Sequence, residues 1–390
     1  MKKFLSSTIV KLLLAVIVGI VLGRFVGEGF MNVIVTVKYV LGQLIFFMVP
    51  LIILAFISSS IAKMKGNASR MLGWALGLAY VSSVGAAFMA MFLGYWLIPL
   101  LTIHPVTEGL KEIPDLVFKL DIPPVMGVMT ALVIAIMIGL ATVWTKSQIF
   151  ETILDNFQKM VLLLINRILI PILPFFIAAN FCALSYEGSI TRQLPVFLNV
   201  MGIVLGAHFV WLLFLYLTAG TFSGKNPWQV VRYYGPAYFT AVGTMSSAAT
   251  LPVALKCARK SPVLKGEVVD FAVPLFSNIH LCGSILTEVF FVMTVSLMLY
   301  GTLPAISTIV LFIFLLGIFA IGAPGVPGGT VIASLGIVIS ILGFDEAGTA
   351  LLLTIFALQD SFGTACNVTG DGALTLILSK LDKGSADRLS

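Results

Sequence analysis

The chain has 390 residues, of which 59% are hydrophobic and only 10% charged, against about 25% charged in a soluble domain. Its mean hydropathy is +1.09. Too few charged side chains remain to clothe a water-exposed surface, so soluble enzymes, nucleic-acid binders and disordered proteins are excluded and an integral membrane protein is indicated.

The net charge of +6 comes from basic residues in short connections between apolar runs, where it marks topology and not an acidic partner. The runs are long and rich in Leu, Ile, Val and Phe instead of alternating over ten residues, so they are helices and not barrel strands. Lys2 and Lys3 could open a secretory signal, but Lys11 interrupts the run and no small-x-small cleavage site follows. The stretch 7–27 is therefore read as the first spanning helix. Its Gly19, Gly23 and Gly27, four residues apart, predict a close helix contact. Further spans follow at 32–62, 71–100, 123–145, 159–186 and 193–222. The cysteines Cys182, Cys257, Cys282 and Cys366 have no CxxC spacing and read as small packing residues.

Residues 226–256 and 304–342 are apolar but broken halfway by Gly, Ser and Pro, while the long runs 267–300 and 346–380 carry polar residues at depth. Basic residues gather before the first span, at Lys63, Lys65 and Arg70, at Lys146, at Lys225, from Lys256 to Lys265, and after Lys380. All lie on one side, with both termini cytoplasmic, only if 226–256 enters and leaves from the cytoplasm and 304–342 from outside. The expectation is an all-α protein of the cell's inner (plasma) membrane: eight transmembrane helices, the seventh at 267–300 and the eighth at 346–380, plus two re-entrant hairpins. A short cytoplasmic tail covers 381–390. Inverted hairpins place a binding site at the midplane, between two broken tips.

Polar residues inside a membrane helix cost about 2.5–3.5 kcal/mol each and mark function by default. The eighth span carries Asp360, Thr364, Asn367 and Asp371 on one helical face over about 16 Å. Two acids with an amide and a hydroxyl between them point to a solute or ion site. The tips read Thr-Met-Ser-Ser-Ala-Ala-Thr-Leu-Pro at 244–252 and Gly-Ala-Pro-Gly-Val-Pro-Gly-Gly-Thr at 322–330. Neither continues a helix smoothly, so each leaves free backbone N–H and C=O groups, suited to a carboxylate and to a cation respectively.

The Ser-Ser-x-x-Thr-Leu-Pro tip, the Gly-Val-Pro-Gly tip and the closing Asp-x-x-x-Thr-x-x-Asn-Val-Thr-Gly-Asp resemble the dicarboxylate/amino acid:cation symporters, the glutamate-transporter homologues. The three motifs occur in that family's order. The resemblance implies a secondary active transporter and not an enzyme, with elevator-type movement and a homotrimeric assembly. Residues 1–225 would be mainly scaffold, with the third and sixth helices moving with the region from 226 onward. Asp360 would hold the α-ammonium of an amino acid; Asn367 and the backbone at Ser246 and Ser247 would hold its α-carboxylate, with Thr364 nearby. The second tip, through Ala323, Gly325, Val326 and Gly328, would close as a lid.

Departures from the family pattern narrow the substrate. Where acidic-substrate members carry an arginine three residues after the ammonium-binding acid, this chain has Gly363, and the alternative position in the first hairpin is Met245. A second carboxylate would find no cation there, and burying it unpaired costs several kcal/mol. Gly363 is expected to open space for a small neutral side chain, so serine, threonine and alanine are the first candidates. Carriage of acidic amino acids or dicarboxylates, coupled to protons or independent of sodium, is the alternative.

The resemblance also locates coupling ions. The seventh-helix motif is exchanged to His280-Leu281-Cys282-Gly283-Ser284, which replaces two sodium-ligating side chains, and a thiol is a poor sodium ligand. Candidate cation positions are Asn367 and Asp371, Ser82 and Ser83, Phe276, Asn278, His280 and Cys282, and the second-tip residues Ala320, Ile321 and Ala323. Protons are the competing coupling ion, through Glu288, with His280 eight residues before it on nearly the same helical face; the other reading makes His280 a core histidine bonded to a hairpin carbonyl. No organic cofactor is implied; Na+ or H+ is the coupling ion. A channel would need polar stripes on several helices, and an intramembrane enzyme a Ser/His or metal constellation. No Ser-His pairing on facing helices is evident in the sequence.

Overall fold

A computed structural model of the chain describes residues 8–62, 70–101, 111–188, 190–323 and 327–381. The markers Lys2, Lys3, Lys63 and Lys65, the lid residues Gly325 and Val326, and the tail beyond 381 lie outside the described residues. The elements in chain order are α1 (Thr8–Phe25), α2 (Glu28–Ala62), α3 (Arg70–Leu97), α4 (Val128–Thr145), α5 (Gln148–Leu164), α6 (Ile170–Glu187) and α7 (Ile190–Ser223). They continue as α8 (Trp228–Val231), α9 (Gly235–Thr244), α10 (Ser247–Arg259), α11 (Gly266–Ile279), α12 (Cys282–Tyr300), α13 (Ile306–Gly322), α14 (Gly329–Leu342) and α15 (Glu346–Leu381). No strand occurs among the described residues.

Among the described residues six helical stretches are long and apolar enough to cross a membrane, covering α2, α3, α5 with α6, α7, α11 with α12, and α15. The fifth predicted span starts earlier than its apolar run, because α5, a π turn at Ile165–Leu169 and α6 form one path from 148 to 187. Pro171 and Pro174 follow that turn. A proline ring excludes the carbonyl four residues before it, and one extra residue in the turn relieves the clash. The outer part of α5 is polar on one side, where Lys159 pairs with Asp155 at 2.6 Å.

The helices associate in two groups. In one, α1 packs along α6, and α2 along α4, α5 and α6. In the other, α15 is the axis, contacted by α7, α9, α10, α11 and α12, with α3 against α12 and α13. Contact between the groups is sparser and runs mainly through α13 and α14 on α2 and α4. The close contact expected from the glycines of α1 is present: a Cβ on Gly19 would strike the Ala178 carbonyl, and one on Gly23 the Cys182 carbonyl. Gly27 has nothing within 4 Å of such a Cβ and takes no part.

Both interrupted regions are helical hairpins, α9 folding on α10 and α13 on α14. The first turns at Met245, whose φ of 53° is left-handed, and Ser246 then caps α10 by accepting from the Ala249 N–H at 3.3 Å. In the second, α13 ends at Ala323, extended, and α14 begins after Gly328, whose φ is 70°. One boundary requires correction. The stretch 267–300, expected as a single helix, is broken at His280 and Leu281 between α11 and α12. His280 adopts extended dihedrals of −109° and 101°. The eight-residue spacing that was to put His280 and Glu288 on one face therefore does not operate.

Candidate substrate and cation site

The helix α15 is buried along nearly its whole length, and two of its side chains meet the starts of broken helices. The N–H groups at a helix start lack intrahelical acceptors and carry the positive end of the dipole. At α12 these are Gly283 and Ser284, which donate to Asn367 Oδ1 at 2.7 and 3.2 Å. The Asn367 amide then donates to Ser284 Oγ at 2.9 Å. At α14 the N–H of Gly328 donates to Asp360 Oδ2 at 2.7 Å, with Thr364 one turn further along α15. Asp360 and Asn367 stand seven residues apart, about 10 Å along the helix. Both are essentially sealed, at 3% and 1% exposure.

The first-hairpin serines stand at the start of α10, in a hairpin whose two helices pack on α15. Ser247 is buried at the first turn of α10, and Ser246 precedes it as the cap. Thr244 and Thr250 stiffen this tip: their hydroxyls lie 3.0 Å apart, and Thr250 donates to the Ser246 carbonyl at 2.9 Å. Met245 does not face the polar groups. It is buried in an apolar cluster with Ala15, Val16, Ile177, Phe181 and Ala357.

Gly363 behaves differently from its expectation. It does not open a space: a Cβ there would lie 3.3 Å from the Ser284 Cα and 3.4 Å from the Ser284 nitrogen. Opposite it, a Cβ on Gly283 would come within 2.5 Å of both Cys366 Cβ and the Gly363 carbonyl. Two glycines thus let α12 and α15 cross at backbone distance, and this close crossing is what brings Asn367 to the α12 N-terminus.

Around Asp371 lies a second polar array. His280 Nδ1 is 2.9 Å from Asp371 Oδ1, and its Nε2 is 2.9 Å from Ser82 Oγ on α3. A carboxylate accepts, so Nδ1–H donates to Asp371. Gly370 makes room for the ring, since a Cβ there would meet His280 Cε1 at 2.9 Å. The sequence shows no Ser-His pairing, because Ser82 and His280 are 198 positions apart; the structure corrects that, bringing Ser82, His280 and Asp371 into line. The bonding partners of His280 are also not a hairpin carbonyl. Both ring nitrogens of His280 are engaged, and the ring occupies the gap between the oxygens of Ser82 and Asp371.

The remaining cation candidates separate. Asp371 Oδ2 and Ser83 Oγ are buried without a partner among the described residues and remain available as oxygen donors. Cys282 lies beside Cys366 thiol to thiol, a soft environment unsuited to sodium. The Phe276 carbonyl receives the His280 N–H at 2.9 Å, and the Ala320 carbonyl the Ala323 N–H at 3.2 Å. Asn278 is exposed and turns its amide back to the Pro274 carbonyl at 2.8 Å. Ile321 is half-buried near the end of α13. Glu288 is fully buried, its Oε1 accepting from Ser334 of α14 while Oε2 has no partner among the described residues.

Sequence reasoning missed His208. On α7 and 2% exposed, its Nε2 lies 3.0 Å from the Gly283 carbonyl and 2.9 Å from Thr287 Oγ1. It braces the start of α12 at the glycine crossing. A lone histidine within the apolar run 193–222 was the available signal.

Compared with protein families, residues 8–381 match the sodium:dicarboxylate symporter family. The chain belongs to this family. It is a family of transporters, not of enzymes. Among similar proteins, excitatory amino acid transporter 3 of Bos taurus is 29% identical over 266 residues, 66% of this chain and 48% of the relative. The human protein of that name is 27% identical over 242 residues, 62% of this chain and 45% of the relative. A putative sodium-dependent excitatory amino acid transporter, glt-4 of Caenorhabditis elegans, is 27% identical over 207 residues, 53% and 41%. The match spans less than half the length of each of these relatives.

Proposed function

We propose that this chain is a cation-coupled symporter of a neutral α-amino acid of the serine, threonine or alanine type. The observation that carries the reading is the pairing of Asp360 and Asn367 with the starts of two broken helices on one buried helix face. Asp360 supplies the charge for an α-ammonium, and the second amide hydrogen of Asn367, together with the first turn of α10 at Ser246 and Ser247, receives the α-carboxylate. In exchange for the Gly328 N–H, an arriving ammonium gives Asp360 a charged partner. Ala323 to Gly328 is the lid.

The preference for a neutral side chain is supported by Met245 and Gly363, which stand where acidic-substrate members carry arginine. One is packed in an apolar cluster and the other against Ser284. The relatives named for excitatory amino acids favour the second reading, an acidic substrate. Two-group packing supports an elevator in which α3, α7 and α9 to α15 move against α1, α2, α4, α5 and α6. The scaffold group of α1, α2, α4, α5 and α6 is the part on which a homotrimer would assemble.

For coupling, Asp371 Oδ2 and Ser83 Oγ are both buried oxygens left without a partner among the described residues and are the candidate sodium donors. Glu288 is the proton-coupling group, because its carboxyl links α12 to the lid helix α14 through Ser334. Uptake of labelled serine into proteoliposomes, with sodium and proton gradients imposed separately, tests the whole reading. Serine uptake driven by either gradient supports it; aspartate uptake without serine uptake refutes the neutral substrate.

A further inference from the structure

An apolar crevice of about 440 Å³ runs down the flank of α7 toward the start of the first hairpin, outside the site described above. That volume lies in the usual range for ligand sites. Phe209, Leu213 and Leu217 line one wall, and Trp228, Tyr234 and Tyr238 the other. Leu213 and Trp228 are 61% and 64% exposed, so on a membrane-crossing helix the crevice opens to the bilayer.

Its inner end is polar. Tyr234 is fully buried, yet its hydroxyl has no partner among the described residues, and neither has Thr369 Oγ1, from the same lining. Leaving a buried hydroxyl unmade costs about 1–3 kcal/mol. Tyr216 donates beside them to the Thr369 carbonyl at 2.8 Å. Both phenols lean on the α15 backbone: a Cβ on Gly372 would lie 2.6 Å from Tyr216 Oη and 2.9 Å from Tyr234 Cζ.

Depth identifies the occupant. α7 has 34 residues, about 51 Å of helix against an acyl core of about 30 Å. Tyr216 stands seven residues before its end at Ser223, which puts the phenols near the acyl-core boundary, where ester groups lie. Phe209 is seven residues deeper. The neighbouring carboxyl of Asp371 disfavours an anion beside Tyr234, so the group bonded there is uncharged. Lys225 and Arg232 adjoin the lining residues Asn226 and Val231 in the chain. Lys225 Nζ donates to the Val263 carbonyl and Arg232 to Tyr233 Oη, both at 2.7 Å. The 256–265 connection that Lys225 thereby reaches adds Lys256, Arg259, Lys260 and Lys265. The acidic residues there are Glu267 and Asp270, the latter paired with Arg259 at 2.7 Å.

We propose that this crevice is a binding site for an anionic glycerophospholipid. Tyr234 donates to an acyl ester carbonyl, the chain lies along Phe209 and Leu213, and the phosphate sits near Lys225 and Arg232. The lipid bridges α7 to the first hairpin beside Thr369, two residues from Asp371.

The test uses the full chain in nanodiscs containing phosphatidylglycerol or phosphatidylcholine with a photoreactive acyl chain. Cross-linked peptides are mapped by mass spectrometry. The expected result is phosphatidylglycerol labelling centred on 209–217, at least threefold above phosphatidylcholine. Leu213→Trp, which fills the crevice from its exposed wall, lowers labelling at least fivefold, and the isosteric Tyr234→Phe lowers it severalfold, both with unchanged elution on size exclusion. Equal labelling by the two lipids, or labelling indifferent to both substitutions, overturns the proposal. So does chain-to-chain cross-linking through Leu213→Cys, which makes this face an interface between copies.

Discussion

His280 Nδ1 lies 2.9 Å from Asp371 Oδ1 although the residues are 91 positions apart, and both are sealed from solvent. The imidazole joins α3 to α15 through Ser82 and Asp371, so the link between two helices depends on one ring in the break between α11 and α12. His280→Ala leaves the Asp371 carboxyl with neither oxygen partnered among the described residues. Removing one partner of such a buried pair costs about 3–5 kcal/mol. The double variant with Asp371→Asn should recover part of that loss, since a neutral amide is cheaper to bury. Thermal melts of the single and double variants in detergent read the coupling; strictly additive losses would show that the two side chains do not act together.

Glu288 is the group by which proton coupling stands or falls. Serine uptake by the native chain should change with external pH over the range from about 5 to 8, where imidazole and shifted carboxyl groups exchange protons. Glu288→Gln keeps the bond to Ser334 and removes the exchangeable proton. Its uptake should lose the pH dependence while still binding serine. A profile unchanged from the native one would end the proton assignment and leave sodium as the coupling ion.

Gly328 combines a φ of 70° with the N–H that Asp360 accepts. An L-residue pays about 1–2 kcal/mol in that conformation. Gly328→Ala should therefore raise the KM for uptake by about five- to thirtyfold by disfavouring the closed tip, with a smaller change at saturating substrate. Asp360→Asn, which removes the charge for the ammonium, should abolish serine uptake without lowering the melting temperature by more than a few degrees.

The crossing of α12 and α15 is steeply size-dependent. Gly283→Ala would press a methyl within 2.5 Å of Cys366 Cβ and the Gly363 carbonyl, and overpacking of this kind costs about 1–3 kcal/mol. Gly363→Ala meets its neighbours at 3.3–3.4 Å and should cost less. Melting temperatures measured side by side should rank Gly283→Ala below Gly363→Ala, and both below the native chain.

Much of this was legible in the chain itself. The scarcity of charge required a membrane protein, and the polar face of 360–371 pointed to the candidate site, because a polar group in an apolar helix must find partners whatever surrounds it. The Ser-Ser and Gly-Val-Pro-Gly tips announced two hairpins, since neither sequence can continue a helix. Tertiary structure decided the rest. Periodicity assumes an unbroken helix, so it joined His280 to Glu288, whereas the break at 280–281 sends one to α15 and the other to α14. Gly363 looked like space for substrate, but which neighbour fills the room left by a missing side chain is set by the helix crossing. The link from Ser82 to His280, and the brace of His208 on Gly283, join residues far apart in the chain; such contacts have no local signature, because they arise only when separate helices pack.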